Sequence, residues 1–191
     1  ATNIIPKKLC SIITPISYDH EEFLGKNLQK ITREKLGIVN NSDFVLIGKQ
    51  KIEVNRFIKK KLSKTKNVYY YGTNYKTNKL SNKFEFEFGK KIKKSFSRPK
   101  LNGAHQIENA SIALAFSEVM IKNNLKLIKS KINKAIRNTE WPGRLEIINF
   151  KNKKIILDGS HNIDGALKLN EFLRLKKIKP VVIFGMLNNK K

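Results

Sequence analysis

All three histidines and two of the four aspartates in this 191-residue chain fall within compact motifs, against a background of lysine, asparagine and isoleucine. The first motif is Ser17-Tyr18-Asp19-His20-Glu21-Glu22, directly after an apolar run. Asp19 and Glu22 have the spacing of a helix capping box, but a cap does not account for His20. An imidazole at the C-terminal end of a strand stands where α/β sheets bind ligands, and its neutral form can hold a metal. Simple hydrogen bonding is the alternative role. The second candidate is Lys35, which ends the helical stripe Leu24, Leu28, Ile31, Lys35. It either snorkels at a helix C-terminus, where the dipole favours a cation, or is functional because burial favours the neutral, reactive amine.

The third motif, Asn102-Gly103-Ala104-His105-Gln106-Ile107-Glu108-Asn109-Ala110, sets His105 and Asn109 one turn apart at the start of a helix. The donor and acceptor of an asparagine amide match an adenine edge, and a capping or core amide is the alternative. In the fourth, Trp141-Pro142-Gly143-Arg144-Leu145-Glu146, proline and glycine fix the backbone ahead of Arg144. That would hold a guanidinium in place for phosphate, or simply make a hinge with a surface arginine. The fifth, Ile155-Ile156-Leu157-Asp158-Gly159-Ser160-His161-Asn162, runs from strand into turn into helix. It puts Asp158 and His161 at a strand's ligand edge, with Asn162 as an N-cap.

The elements that must position these residues alternate strand and helix, which is the pattern of an α/β domain with a mostly parallel sheet and flanking helices. Strands are expected at 9–16, with both faces buried, and at 44–47, 67–71, 84–88, 145–150, 154–157 and 181–184. Helices are expected at about 21–36, ending on Gly37, and at 52–62, 104–121, 125–138 and 162–175. The lysine-rich stretch 90–94 reads as a solvated sheet edge. The break at Trp141-Pro142-Gly143 divides the chain into residues 1–143 and 144–191, and the second part begins a Rossmann-like βαβ unit.

Composition narrows the class of function. Lys and Arg number 40 against 15 acidic residues, a formal net charge of +25. That balance points towards polyanions, but the excess is nearly all lysine and accompanies asparagine and isoleucine, which share A/T-rich codons. Base bias explains it equally well, and no recognised nucleic-acid motif is present. The positive field still favours anionic small molecules. One cysteine, Cys10, rules out an internal disulfide and fits a reducing cytoplasm as a small core residue. No stretch approaches the roughly 18 apolar residues of a membrane span. The chain starts without methionine and stops just after an expected strand, so both ends look cut.

Taken in order, Asp19-His20, Leu24-Gly25, Glu34-Lys35-Leu36-Gly37-Ile38, Gly103-Ala104-His105-Gln106 with Asn109-Ala110, Pro142-Gly143-Arg144-Leu145-Glu146 and Asp158-Gly159-Ser160-His161-Asn162 resemble the folylpolyglutamate synthase/dihydrofolate synthase family of the Mur ligase superfamily. Leu36 and Ser160 stand where that family usually has alanine, and Tyr18 where it has leucine. The resemblance implies most of a central ATPase domain followed by the start of a C-terminal glutamate-ligase domain. It implies a reaction in which ATP phosphorylates a folate or dihydropteroate carboxylate and L-glutamate attacks the acyl phosphate. By the same resemblance His20 would bind Mg2+, Lys35 would carry a carbamate, Asn109, Arg144 and Asp158 would contact ATP, and His161 would lie by the incoming glutamate. The phosphate loop G-x-x-x-x-G-K-[ST] does not occur in the chain and is expected upstream. The chain alone is therefore expected to be inactive and to have little affinity for ATP, and the whole enzyme to be monomeric. The rival readings are another Mur-type amino-acid ligase and a basic nucleic-acid-binding module.

Overall fold

A computed structural model describes residues 4–18 and 27–186. His20, the proposed capping box and the first part of the expected 21–36 helix lie outside the described residues. Three strands, β1 (Lys8–Ile13), β2 (Ser42–Ile47) and β3 (Val68–Tyr70), form a parallel sheet in the order β1-β2-β3. Side chains alternate across β2. Val45 and Ile47 face one apolar cluster with α1 (Leu28–Leu36) and α2 (Ile52–Lys61), while Phe44 and Leu46 face another. The helices form for local reasons. Asn27 caps α1 by accepting from the Lys30 amide, and α2 buries Val54 and Ile58 while ending on three lysines that suit its dipole.

The second cluster belongs to α3 (His105–Lys122) and an antiparallel sheet of β4 (Tyr75–Lys79), β5 (Lys83–Phe88) and β6 (Ile92–Ser97) in the order β4-β5-β6. The helix packs against β2 and also against β4 and β5. Phe84, Phe86, Phe88, Phe96 and Tyr75 fill the interior beneath it. The Tyr75 hydroxyl crosses to the parallel sheet and donates to the Ile47 carbonyl at 2.9 Å. Glu118, buried in α3, is held by Lys94 of β6. Sequence reading finds only β5 of this sheet. Its two neighbours are edge strands rich in lysine, threonine and asparagine, too polar for a clear alternation. Their lysines neutralise the outward glutamates of β5: Lys76 lies 3.0 Å from Glu87, and Lys93 lies 3.2 Å from Glu85. The lysine-rich stretch is thus a solvated edge.

Four further expectations are corrected. Strand β1 is not covered on both faces. Among the described residues it is an edge strand, with Leu9 54% exposed. Gly37 is not a left-handed cap, because its φ is −55° and the chain continues into a 3-10 turn, Gly37–Val39. The left-handed step falls later, at Asn41. Helix α4 spans Lys129–Asn138 rather than starting at 125. Left-handed Asn124 and the bond from the Leu125 amide to the Met120 carbonyl close α3 there and send the chain out extended. The βαβ unit is absent among the described residues. β7 (Glu146–Phe150) and β8 (Lys153–Leu157) pair antiparallel, α5 (Ile163–Leu175) follows, and 181–186 is not a strand. An apolar run becomes a strand only when a neighbouring edge takes its backbone hydrogen bonds. Ile183 remains 99% exposed.

Candidate functional site

Lys35, Asn109, Arg144, Asp158 and His161 line one cavity of about 590 Å³, a size that suits a drug-sized organic ligand. Its walls come from the exit of β1, the end of α1, the start of α3, the turn before β7, and the β8–α5 loop. Side-chain contacts hold two of these walls in place. Gln50 clamps the β1 exit by donating to the Thr14 carbonyl and accepting from the Ile16 amide, each at 2.9 Å. Lys49 pairs with Glu108 at 2.7 Å and ties the end of β2 to the first turn of α3. That carboxylate also raises the Lys49 pKa.

Within the cavity the polar groups form short chains. Asn109 is on the exposed side of α3, and its amide donates to Gln106 Oε1 at 3.0 Å. Gln106 in turn bonds His105 Nε2 at 3.0 Å. A second amide hydrogen and Oδ1 of Asn109 stay open among the described residues, one donor and one acceptor for a flat polar ring. Asp158 follows β8, whose partner is antiparallel, so the expected parallel-strand setting does not apply. Its Oδ2 accepts from the Leu145 amide at 2.9 Å, and its Oδ1 accepts from the amide and hydroxyl of Ser160. His161 Nδ1 donates to the Gly159 carbonyl at 2.9 Å. Asn162 caps α5 by accepting from the Gly165 amide at 2.8 Å.

Of the two readings of Lys35, the exposed one holds: it lines the cavity from the last turn of α1, where Leu36 stays buried, and the burial that would favour a neutral amine is absent. Sequence reading also passed over Lys168, which faces the cavity and pairs with Asp164 at 2.7 Å. The signal was available: 164, 165, 168 and 169 share one face of the helix that Asn162 caps. Trp141 also lines the cavity, in a motif whose expected roles were its arginine and a domain break. Among the described residues no group of three or more His, Cys, Asp or Glu can hold a metal. Both oxygens of Asp158 are engaged by protein donors and Asp164 is paired with Lys168, so the described residues alone do not fit a magnesium ion, which needs several oxygen ligands.

His105 carries a pH dependence. Burial lowers its pKa below the usual 6.5, helped by Lys168 and opposed by Asp158, Glu108 and Glu171. The unfolded chain therefore takes up a proton before the folded one. This residue's contribution to stability is complete above about pH 6.5 and is lost as the pH falls through the lower folded-state value. Melting temperature is expected to drop over that window, and less so in His105→Gln. Equal drops in the two proteins would refute this assignment.

Residues 7–117 match the Mur ligase middle domain. The chain belongs to the Mur ligase family. It is 32% identical to the dihydrofolate synthetase of Saccharomyces cerevisiae over 91% of its own length and 42% of that protein's. It is 26% identical to the dihydrofolate synthase/folylpolyglutamate synthase of Bacillus subtilis, matching over 100% of its length and 46% of the relative's. Among solved structures, a folylpolyglutamate synthase (FPGS) complex with AMPPCP and folate superposes with a TM-score of 0.82 at 25% identity, covering 94% of this chain and 45% of that one. This Mur ligase chain thus spans less than half the length of the relatives it matches. No described helix is long and apolar enough to cross a membrane.

Proposed function

We propose that the chain is the nucleotide-handling part of a cytoplasmic ATP-dependent ligase that adds L-glutamate to a folate or dihydropteroate carboxylate through an acyl phosphate. The observation that carries this reading is the convergence of Lys35, Asn109, Arg144, Asp158 and His161, far apart in sequence, on one cavity. In this reading Asn109 meets the adenine edge with its open donor and acceptor. The Arg144 guanidinium, without a partner among the described residues, meets the phosphates, where a forked donor suits tetrahedral oxygens. Asp158 lines the nucleotide side of the cleft, and His161 lies by the incoming glutamate. Lys35 as the carbamate-bearing residue rests on the family resemblance and its place on the cavity wall, and no longer on burial. Magnesium is assigned to His20 by the resemblance alone, and no step is routed through it. ATP supplies the phosphoryl group. The chain's own residues orient the nucleotide and balance its charge, and this positioning is most of what phosphoryl transfer requires of a protein. The turn at residues 141–143 is the boundary between the two domains, and the active enzyme is a monomer without a nucleic-acid partner.

The test is a ligase assay on the complete protein that carries this chain, with ATP, L-glutamate and either dihydropteroate or a reduced folate. ADP release coupled to a glutamylated product is expected, and the 191-residue chain alone should give none. Arg144→Ala should lower kcat/KM by roughly 10- to 100-fold, the effect of losing a charge-assisted contact of about 1.5–3 kcal/mol. Turnover with a cell-wall precursor and none with either pterin substrate would move the protein to another branch of the family.

A further inference from the structure

Arg144 is flanked by two residues in left-handed conformation, Gly143 at φ +69° and Leu145 at φ +49°. Glycine takes that conformation freely, but leucine does not. Leu145 is also 2% exposed, so water cannot satisfy its backbone. Side chains from two other elements satisfy it. Asp158 Oδ2 accepts from its amide, and Asn102 Nδ2 donates to its carbonyl, both at 2.9 Å. The next layer is equally defined: the Gly143 amide donates to Glu146 Oε2 at 2.8 Å, and the Gly159 amide to the Gly143 carbonyl at 2.7 Å. A strained residue persists only where its surroundings over-determine it. Here they do so at the residue next to a cavity-lining arginine with no partner of its own among the described residues.

We infer that Asn102 is a positioning residue: with Asp158 it pins Leu145 in the left-handed conformation and so aims Arg144 into the cleft. Asn102 itself does not line the cavity. It sits in the loop before α3, so the pin ties the helix bearing Asn109 to the turn bearing Arg144 and fixes the distance between those two ligand contacts. The inference rests on the nucleotide reading only for the identity of the ligand that Arg144 meets.

The test uses the complete protein that carries this chain, with the unhydrolysable nucleotide AMPPCP titrated by calorimetry and amide hydrogen exchange read at Leu145. Arg144→Ala supplies the baseline for nonspecific attraction to a basic protein. Asn102→Ala should stay folded, lose protection of the Leu145 amide, and bind AMPPCP roughly tenfold more weakly, close to that baseline. Adding Leu145→Gly to Asn102→Ala should restore most of the affinity, because glycine takes the left-handed conformation without a pin. A residue that merely supported the fold would not be rescued in this way. If the double variant does not fold, Asn102→Asp replaces it: of the same size but with no N–H to donate, it should lose as much affinity as alanine. Wild-type protection and affinity in Asn102→Ala, or a folded double variant without rescue, overturns the inference. If the wild type binds AMPPCP no better than Arg144→Ala, the nucleotide reading fails and exchange alone decides: lost protection in Asn102→Ala upholds the pin, unchanged protection overturns it.

Discussion

Phe86→Ala is expected to lower the unfolding free energy by about 3–5 kcal/mol, the range for deleting a fully buried aromatic side chain. Phe86 is 0% exposed at the centre of β5, with its ring 6.3 Å from Tyr75, 6.4 Å from Phe88 and 6.4 Å from Phe96 between centroids. The neighbouring rings are fixed by strand register and cannot move into the space it leaves. The loss should also reach the cleft. These rings support α3, whose first turns carry His105 and Asn109, so AMPPCP binding should weaken even at temperatures where the variant remains folded. Equilibrium denaturation in urea measures the first effect. A change below about 1 kcal/mol would mean that the aromatic layer contributes little to the fold.

Gly103→Ala should cost about 3 kcal/mol or more, combining backbone strain and an overpacked contact, each roughly 1–3 kcal/mol. Gly103 has φ +100°, and a Cβ there would lie 2.5 Å from Cε1 and 2.8 Å from Nδ1 of His105, and 3.0 Å from Cδ1 of Leu145. The imidazole is half-buried, and swinging it aside would break its bond from Nε2 to Gln106. The clash would therefore displace both His105 and the pinned turn at Leu145. Thermal melting and the exchange rate of the Leu145 amide should move together. A variant that melts like the wild type, with His105 resonances unshifted, would show that the loop relaxes without strain.

How much of this was legible in the sequence depended on how strongly each residue was constrained. The parallel strands and α3 could be read because burial demands apolar runs, as in Phe44-Val45-Leu46-Ile47 and Ile112 to Phe116. The edge strands β4 and β6 could not, since one face and one edge of each meet water and lysine serves there as well as valine. Most of the cleft was read from scarcity: Arg144, Asp158 and His161 stand out from a background of lysine, asparagine and isoleucine. Lys168 was lost in that background for the same reason. The stripe ending at Lys35 left an exposed and a buried reading open, because spacing gives a helical face and does not say whether its last position meets the core or the cleft. The left-handed step at Leu145 has no sequence signature at all. It is imposed by Asn102 and Asp158, residues 43 and 13 positions away.

Helix α3 fills the interior of both sheets, and that constrains the order of events during synthesis. The chain emerges from its N-terminus, so β1 to β3 and then β4 to β6 leave the ribosome before the helix they share. Until residue 122 is out, the parallel sheet can close only the face that α1 and α2 cover, and the aromatic side of β5 must wait open beside its other face. The two sheets therefore reach their final state together, when a single segment arrives, and not one after the other.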